Sequence, residues 1–218
     1  MIEWLKRFRP RRAPVDPRTR TLVIGLGAMK SGTSWLSQHL GRHPDFLHSP
    51  VKEMNVFNQM ADNPFRWRDE SYRLFRMEEI VLAERWRRDP KAVDSLRALA
   101  QIGRITTPED YLAYFAERMD RQTHFGEISP AYALLPVETL RLIAGLARDV
   151  RFLFLMRDPA RRAASHLRHL RRRKRVGVPL DDLLAEVVPG HPVWLRSDYG
   201  RTIDLLEAAG VLPQSRLM

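Results

Sequence analysis

Cysteine is absent from this 218-residue chain. That excludes disulfides, thiolate metal sites and a cysteine nucleophile, and it fits a cytoplasmic location. No apolar run approaches the roughly 18 residues that a membrane span needs. The opening "MIEWLKRFRPRRAPVDPRTR" is basic but has no uninterrupted apolar core, so it does not read as a secretory leader. Lysine is scarce too, at positions 6, 30, 52, 91 and 174 only, against 37 basic residues in all. Lys30 and Lys52 are the two that fall in the patterned segments below.

Acidic residues are outnumbered, and the formal net charge is +11. Such a charge would fit a nucleic-acid binder if it were spread over one surface, but it is local. Residues 1–20 carry +5, residues 157–175 carry +8, and everything else totals −2. Residues 1–20 read as a flexible basic tail, with weak peripheral contact to an anionic membrane surface as the sharper alternative. The run Arg171–Arg175 reads as a solvated helix end, where cations suit the dipole. Its functional alternative is recruitment of an acidic acceptor.

The remainder, 21–218, is long enough for one α/β domain with a real core. "TLVIGLG" is a short apolar run ended by glycine, the pattern of a buried parallel strand. "TSWLSQHLGRHP" predicts a helix with Trp35, Leu36 and Leu40 on one face. "VKEMNVFN" predicts a short strand or loop. A helical insertion covers about 58–120, broken near Pro90 and again at Thr107-Pro108-Glu109, where proline takes a first helical position. Its aromatic residues, with Phe57, Phe65, Trp67, Tyr72 and Trp86 among them, either line an acceptor pocket or pack in the core. "HFGEISPAY" predicts a strand and turn, "PVETLRLIAGLARD" a helix, and "VRFLFLMRDP" a second buried strand. The helix that follows has Ala163, Leu167 and Leu170 as its apolar stripe. A last helix covers "SDYGRTIDLLEAAG". Strand and helix alternate, which implies a three-layer α/β/α fold on a central parallel sheet. Ligands of such sheets sit beyond the carboxyl ends of strands.

Two segments occupy such positions. In "LVIGLGAMKSGTSWL" the glycines let the backbone turn tightly, and the amides of Ser31, Gly32, Thr33 and Ser34 meet the start of a helix, where an anion is favoured. Lys30 adds a full charge. A nucleoside-triphosphate loop would place its lysine directly after the last glycine and before a magnesium-binding hydroxyl. Here Lys30 precedes Gly32, so a phosphate without an obligatory metal fits better than ATP. In "FLFLMRDPARRAASHLRHL", Arg157 follows a strand and Ser165 lies two helical turns on. A guanidinium and a hydroxyl there can clamp a second phosphate. Each segment also has a plain reading: a solvated lysine in an ordinary turn, and an Arg157–Asp158 pair beside a small helix residue.

Taken together, the segments resemble the sulfotransferases that use 3'-phosphoadenosine-5'-phosphosulfate (PAPS), and most closely the glycan, heparan-type and related bacterial members. "GAMKSGTSWL" is similar to that family's 5'-phosphosulfate loop, and "RDPARRAASHL" to its 3'-phosphate segment. "KEMNVF" and "GEISPAY" match two further family segments, and the order is kept from residue 22 to about 170. The resemblance implies a P-loop-like fold and PAPS as co-substrate, leaving adenosine 3',5'-bisphosphate, with no metal. It implies Lys30 at the departing oxygen, Ser31 to Ser34 at the 5'-phosphate, and Arg157 with Ser165 at the 3'-phosphate. Glu53 stands where the phenol-specific branch has histidine and is the implied base, with burial expected to raise its pKa. Many relatives carry lysine where this chain has Ile128, which leaves Ser129 as the expected polar contact from that segment. His166 and His169 have no expected catalytic role. The acceptor is a small molecule or glycan, and no nucleic acid is expected. Family members also continue beyond a strand that "VLPQSRLM" would begin, so the C-terminal part of the domain is expected to be missing. Two other functions stay open at this point: a P-loop kinase-like phosphotransferase and a non-enzymatic basic module.

Overall fold

A computed structural model describes residues 15–61, 70–83, 87, 89–174, 179–185 and 187–218. Its elements in chain order are β1 (Thr21–Gly27), α1 (Thr33–Leu40), β2 (Phe46–His48), α2 (Val56–Met60), α3 (Glu70–Leu82), α4 (Pro90–Ile102) and α5 (Pro108–Ala116). They continue as β3 (His124–Ile128), α6 (Val137–Ala144), β4 (Asp149–Phe154), α7 (Pro159–Lys174), α8 (Leu180–Ala185), α9 (Pro192–Leu195), α10 (Tyr199–Ala208) and β5 (Ser215–Leu217). Five parallel strands form one sheet in the order β2-β3-β1-β4-β5, flanked by helices. This is the expected α/β class.

The order explains where a ligand can sit. The chain runs from β1 out to β2, returns to β3 beside β1, then crosses to β4 on the far side of β1. The connections after β1 and β4 therefore diverge, which opens a crevice at the carboxyl ends of these two neighbours. Both candidate anion segments follow them directly.

Burial follows from the layering. From Leu22 onward every residue of β1 is buried, because β1 has strands on both edges and cover on both faces. In β4 burial alternates, with Val150, Phe152 and Phe154 inward and Arg151 and Leu153 half-covered, so this strand is less enclosed than its apolar run implies. Phe57, Tyr111 and Phe115 stack in sequence at ring separations of 4.8 and 5.1 Å in the core. Each such side chain contributes about 1.5–3 kcal/mol through its burial. Phe57 is thus a core residue. Phe65, Trp67, Trp86 and the side chain of Tyr72 lie outside the described residues.

Two close approaches hold the central strands. A Cβ on Gly126 would fall 1.9 Å from the carbonyl oxygen of Val23, and its φ of 148° also favours glycine. Two rungs further along, Gly25 faces Ile128, whose side chain would meet a Cβ at 2.7 Å. Ile128 is 1% exposed and fills the space that Gly25 leaves.

Local expectations differ from the structure in several places. Trp35 is 65% exposed and stacks on His39, while Thr33, Leu36 and Ser37 form the buried face of α1. The 3.6-residue period sets that face, and Trp35 stands about 100° away from Leu36. In α7 the buried set is Arg162, His166 and Leu167, with Ala163 and Leu170 at its margin. Residues 16–20 are fixed, with Pro17–Thr19 in a 3₁₀ turn and the carbonyl of Arg18 accepting from the Arg148 N–H at 3.0 Å. Residues 1–14 of the expected tail lie outside the described residues. Ser215–Leu217 already forms a strand, paired in parallel with Phe152–Phe154. The helix start at Pro108 agrees with expectation, with Thr107 and Asp110 in a reciprocal capping box, and α4 begins at the break expected near Pro90.

Candidate active site

The loop between β1 and α1 enters the helix through two left-handed residues, Lys30 at φ 71° and Gly32 at φ 93°. Gly32 is the N-cap of α1 and offers no side chain to it. The first-turn N–H groups are therefore uncapped from within, as an anion would require. The hydroxyl of Ser31 is buried and has no hydrogen-bond partner among the described residues. An orphaned buried donor beside an uncapped helix start is what an oxyanion ligand would satisfy.

A cleft of about 830 Å³ opens over this loop. Lys30, Gly32, Thr33, Ser34, Glu53 and Ser165 all line it, so the geometry brings together six of the residues singled out in the sequence. Lys52 joins them. Its ammonium donates to Ser34 Oγ at 2.6 Å and lies 3.3 Å from Glu53 Oε1, so it ties the loop to the carboxylate. The Glu53 side chain is 13% exposed and its backbone is left-handed at φ 60°. Arg76, Glu79, His169 and Arg172 complete the rim, with Arg76 and Glu79 paired at 3.5 Å. Arg173, Lys174 and Arg175 have side chains outside the described residues.

Arg157 and Ser31 are not among the residues that line this cleft, though Arg157 touches its loop. The Nη1 of Arg157 donates to the carbonyl oxygen of Lys30 at 3.3 Å, and its backbone is held by Tyr199, whose hydroxyl donates to the Arg157 carbonyl at 2.8 Å. Asp158 caps α7 by accepting from the Arg161 N–H at 2.7 Å. Five residues beyond Arg157, Arg162 is fully buried. It donates to the carbonyl oxygens of Met29 (3.3 Å) and Val193 (2.5 Å) and to Ser197 Oγ (2.6 Å). His166 lies alongside, its pKa pushed down to about 3 by burial and by the charges of Arg196, Arg162, His169 and Lys30. A neutral imidazole there leaves the positive charge to the arginines.

Ser129 is not in the cleft. It is completely buried, donates to Glu127 Oε2 at 2.6 Å and accepts from the Asn55 N–H at 3.1 Å. The expectation of a direct polar contact from Ser129 is corrected accordingly: its hydroxyl is taken up beneath the Glu53 segment. "VKEMNVFN" is likewise neither strand nor plain loop. Glu53 and Asn55 are left-handed, and α2 begins at Val56.

Arg162 and Glu127 escaped notice in the sequence. Lys52 was noted there only as a lysine inside a patterned segment, and its pairing with Glu53 is the plain alternative to a base role for that carboxylate. Arg162 lies in the strongly basic stretch 157–175, where one arginine does not stand out. Its spacing to His166 and the neighbouring apolar stripe would have placed both on the buried side.

A family model described as "Sulfotransferase family" matches residues 23–196, most of the chain and every segment just described. The chain belongs to the sulfotransferase family. The chain is 25% identical over 154 residues to the membrane-associated sulfotransferase kil1 of Dictyostelium discoideum. The match takes in 70% of this chain and 24% of that protein, so the chain spans about a quarter of the length of the curated relative. Its fold is similar to the crystal structure of a sulfotransferase from Alicyclobacillus acidocaldarius, with a TM-score of 0.59 at 21% identity. That likeness covers 92% of this chain and 72% of the other. No helix among the described residues is long and apolar enough to cross a membrane.

Proposed function

We propose that the chain transfers a sulfuryl group from PAPS to a hydroxyl or amine of a carbohydrate, lipid or other small acceptor, releasing adenosine 3',5'-bisphosphate. The observation that carries this reading is the shared crevice. Lys30, Gly32, Thr33, Ser34, Glu53 and Ser165 line one cleft, and Arg157, outside that lining, is bonded to the Lys30 carbonyl.

The residues fit the co-substrate by their chemistry. The uncapped start of α1 and the orphaned Ser31 hydroxyl would take the 5'-phosphate, and Arg157 with Ser165 the 3'-phosphate. When bound, PAPS supplies an activated sulfuryl group whose bridging S–O bond breaks as a new bond to the acceptor forms. Lys30 then stabilises negative charge on the departing phosphate oxygen. Glu53 accepts the proton of the attacking hydroxyl or amine. Lys52, between Ser34 and Glu53, holds the two ends of this relay in one geometry. The protein's contribution is positioning and electrostatics, as in phosphoryl transfer.

The test is incubation with labelled PAPS and panels of glycans, lipids and phenols, with mass analysis of the products. Added sulfate on one class of acceptor is the expected result. Label transfer from ATP with a strict magnesium requirement would overturn the reading.

A further inference from the structure

We propose that Glu127, which lies outside the cleft, positions the Glu53 carboxylate by clamping the backbone that follows it. This rests on the reading of Glu53 as the base. Residues 53–57 bend through two left-handed non-glycine residues, Glu53 and Asn55, a conformation that surrounding structure must hold in place.

The hold comes from one short stretch, Glu127 to Tyr132. The Met54 N–H donates to Glu127 Oε2 at 2.9 Å. The Asn55 N–H donates to Ser129 Oγ at 3.1 Å, and the Phe57 N–H to Tyr132 Oη at 3.3 Å. Both hydroxyls then pass their own protons to the same carboxylate, Ser129 to Oε2 and Tyr132 to Oε1, each at 2.6 Å. One carboxylate thereby commands three backbone donors, the first directly and the others through hydroxyls that each accept one proton and donate another. Asn55 Nδ2 closes the bend on the Glu53 carbonyl at 2.9 Å.

The choice of residue supports the assignment. Glu127 is 1% exposed, and burial raises the cost of its ionised form. A core position needing only volume would be filled more stably by an apolar side chain. Ionised, the carboxylate accepts from every donor in this set, and since burial raises its pKa to about 7 that form prevails above neutral pH. Since a misplacement of about 1 Å can cost roughly 100-fold in rate, a clamp on the residue after the base acts on catalysis without touching substrate.

Two measurements on the intact chain test this. The first is amide hydrogen exchange at Met54, Asn55 and Phe57. In Glu127→Gln, where one acceptor oxygen becomes a donor, these amides should exchange at least about 10-fold faster while β1 amides are unchanged. Unchanged protection would overturn the clamp. The second is release of labelled sulfate from PAPS to water, measured in a double-mutant cycle. Glu127→Gln should lower the rate roughly 10- to 100-fold, with affinity for adenosine 3',5'-bisphosphate within about twofold of the parent, and should add less than about twofold in a Glu53→Gln background. Tyr132→Phe, which removes one hydroxyl only, should show a smaller loss with the same dependence on Glu53. Equal losses in both backgrounds would mark a general structural role and overturn the proposal. A Glu53→Gln variant with the parental rate would instead overturn the base assignment, and the clamp's purpose with it.

Discussion

Arg157 Nη1 donates to the carbonyl oxygen of Lys30 across 3.3 Å. The residue that ends the β4 connection is thus fastened to the backbone of the loop after β1. Arg162 does the same one residue earlier, at Met29. Two hydrogen bonds thus join the two candidate anion-binding segments.

The two arginines should nonetheless behave differently. Arg162 is wholly buried with three strong acceptors, so Arg162→Met leaves the carbonyls of Met29 and Val193 without a donor. We expect a loss of about 2–4 kcal/mol in urea unfolding. Arg157→Ala, at an exposed position, should change stability by less than about 1 kcal/mol.

Lys30→Ala should remove turnover while sparing the fold. Lys30 lines the cleft and sits beyond the core strands. Loss of a charge aimed at a developing oxyanion costs roughly 100- to 1,000-fold in kcat. The check is steady-state transfer from PAPS beside a thermal melt, with the midpoint shifted by only a few degrees.

Restoring the family lysine should fail. Ile128 packs on Gly25 at 1% exposure, so Ile128→Lys would put an ammonium in the core and cost on the order of 3 kcal/mol or more. Gly126→Ala should be at least as damaging, because its Cβ would overlap the Val23 carbonyl. Thermal denaturation of both variants checks this. A stable, more active Ile128→Lys protein would contradict the packing account.

These contrasts show what the sequence could and could not disclose. Strand β1, the loop at Lys30, the break near Pro90 and the helix start at Pro108 were legible, because glycine, proline and apolar runs act locally. Lys30 and Ser165 could be read from segments that follow strands, and Glu53 only from the family resemblance. Three features were not legible. The outward turn of Trp35 depends on which face of α1 meets the sheet. The burial of Arg162 depends on carbonyls at Met29 and Val193 that are distant in the chain. The withdrawal of Ser129 depends on Glu127, two residues away but on the same buried side. Each is fixed by a tertiary partner, and no local pattern encodes a partner.

Stability should depend on pH through two buried groups of opposite sign. Burial raises Glu127 from 4.5 to about 7, so the native state holds an extra proton in that window and stability falls as pH rises through it. The size is roughly 3 kcal/mol at 1.36 kcal/mol per unit. His166 is lowered from 6.5 to about 3, so the unfolded state binds the extra proton there and stability rises with pH between those values. The two slopes oppose one another between about pH 4.5 and 6.5. Glu127→Gln should unmask the His166 slope, giving a steeper loss of stability on acidification than in the parent, read from urea midpoints between pH 4 and 8. An unchanged slope would contradict the titration assigned to Glu127.

The most direct test of the account is calorimetric binding of adenosine 3',5'-bisphosphate, adenosine 5'-monophosphate and ATP without magnesium, to the parent chain and to Arg157→Ala. The parent should bind the bisphosphate at least about tenfold tighter than either other nucleotide, since two charged clamps act on one molecule. Arg157→Ala should bring the bisphosphate down to the level of the 5'-monophosphate and leave the latter unchanged. ATP binding as tight as the bisphosphate, or an equal loss for both adenosine phosphates in the variant, would contradict it.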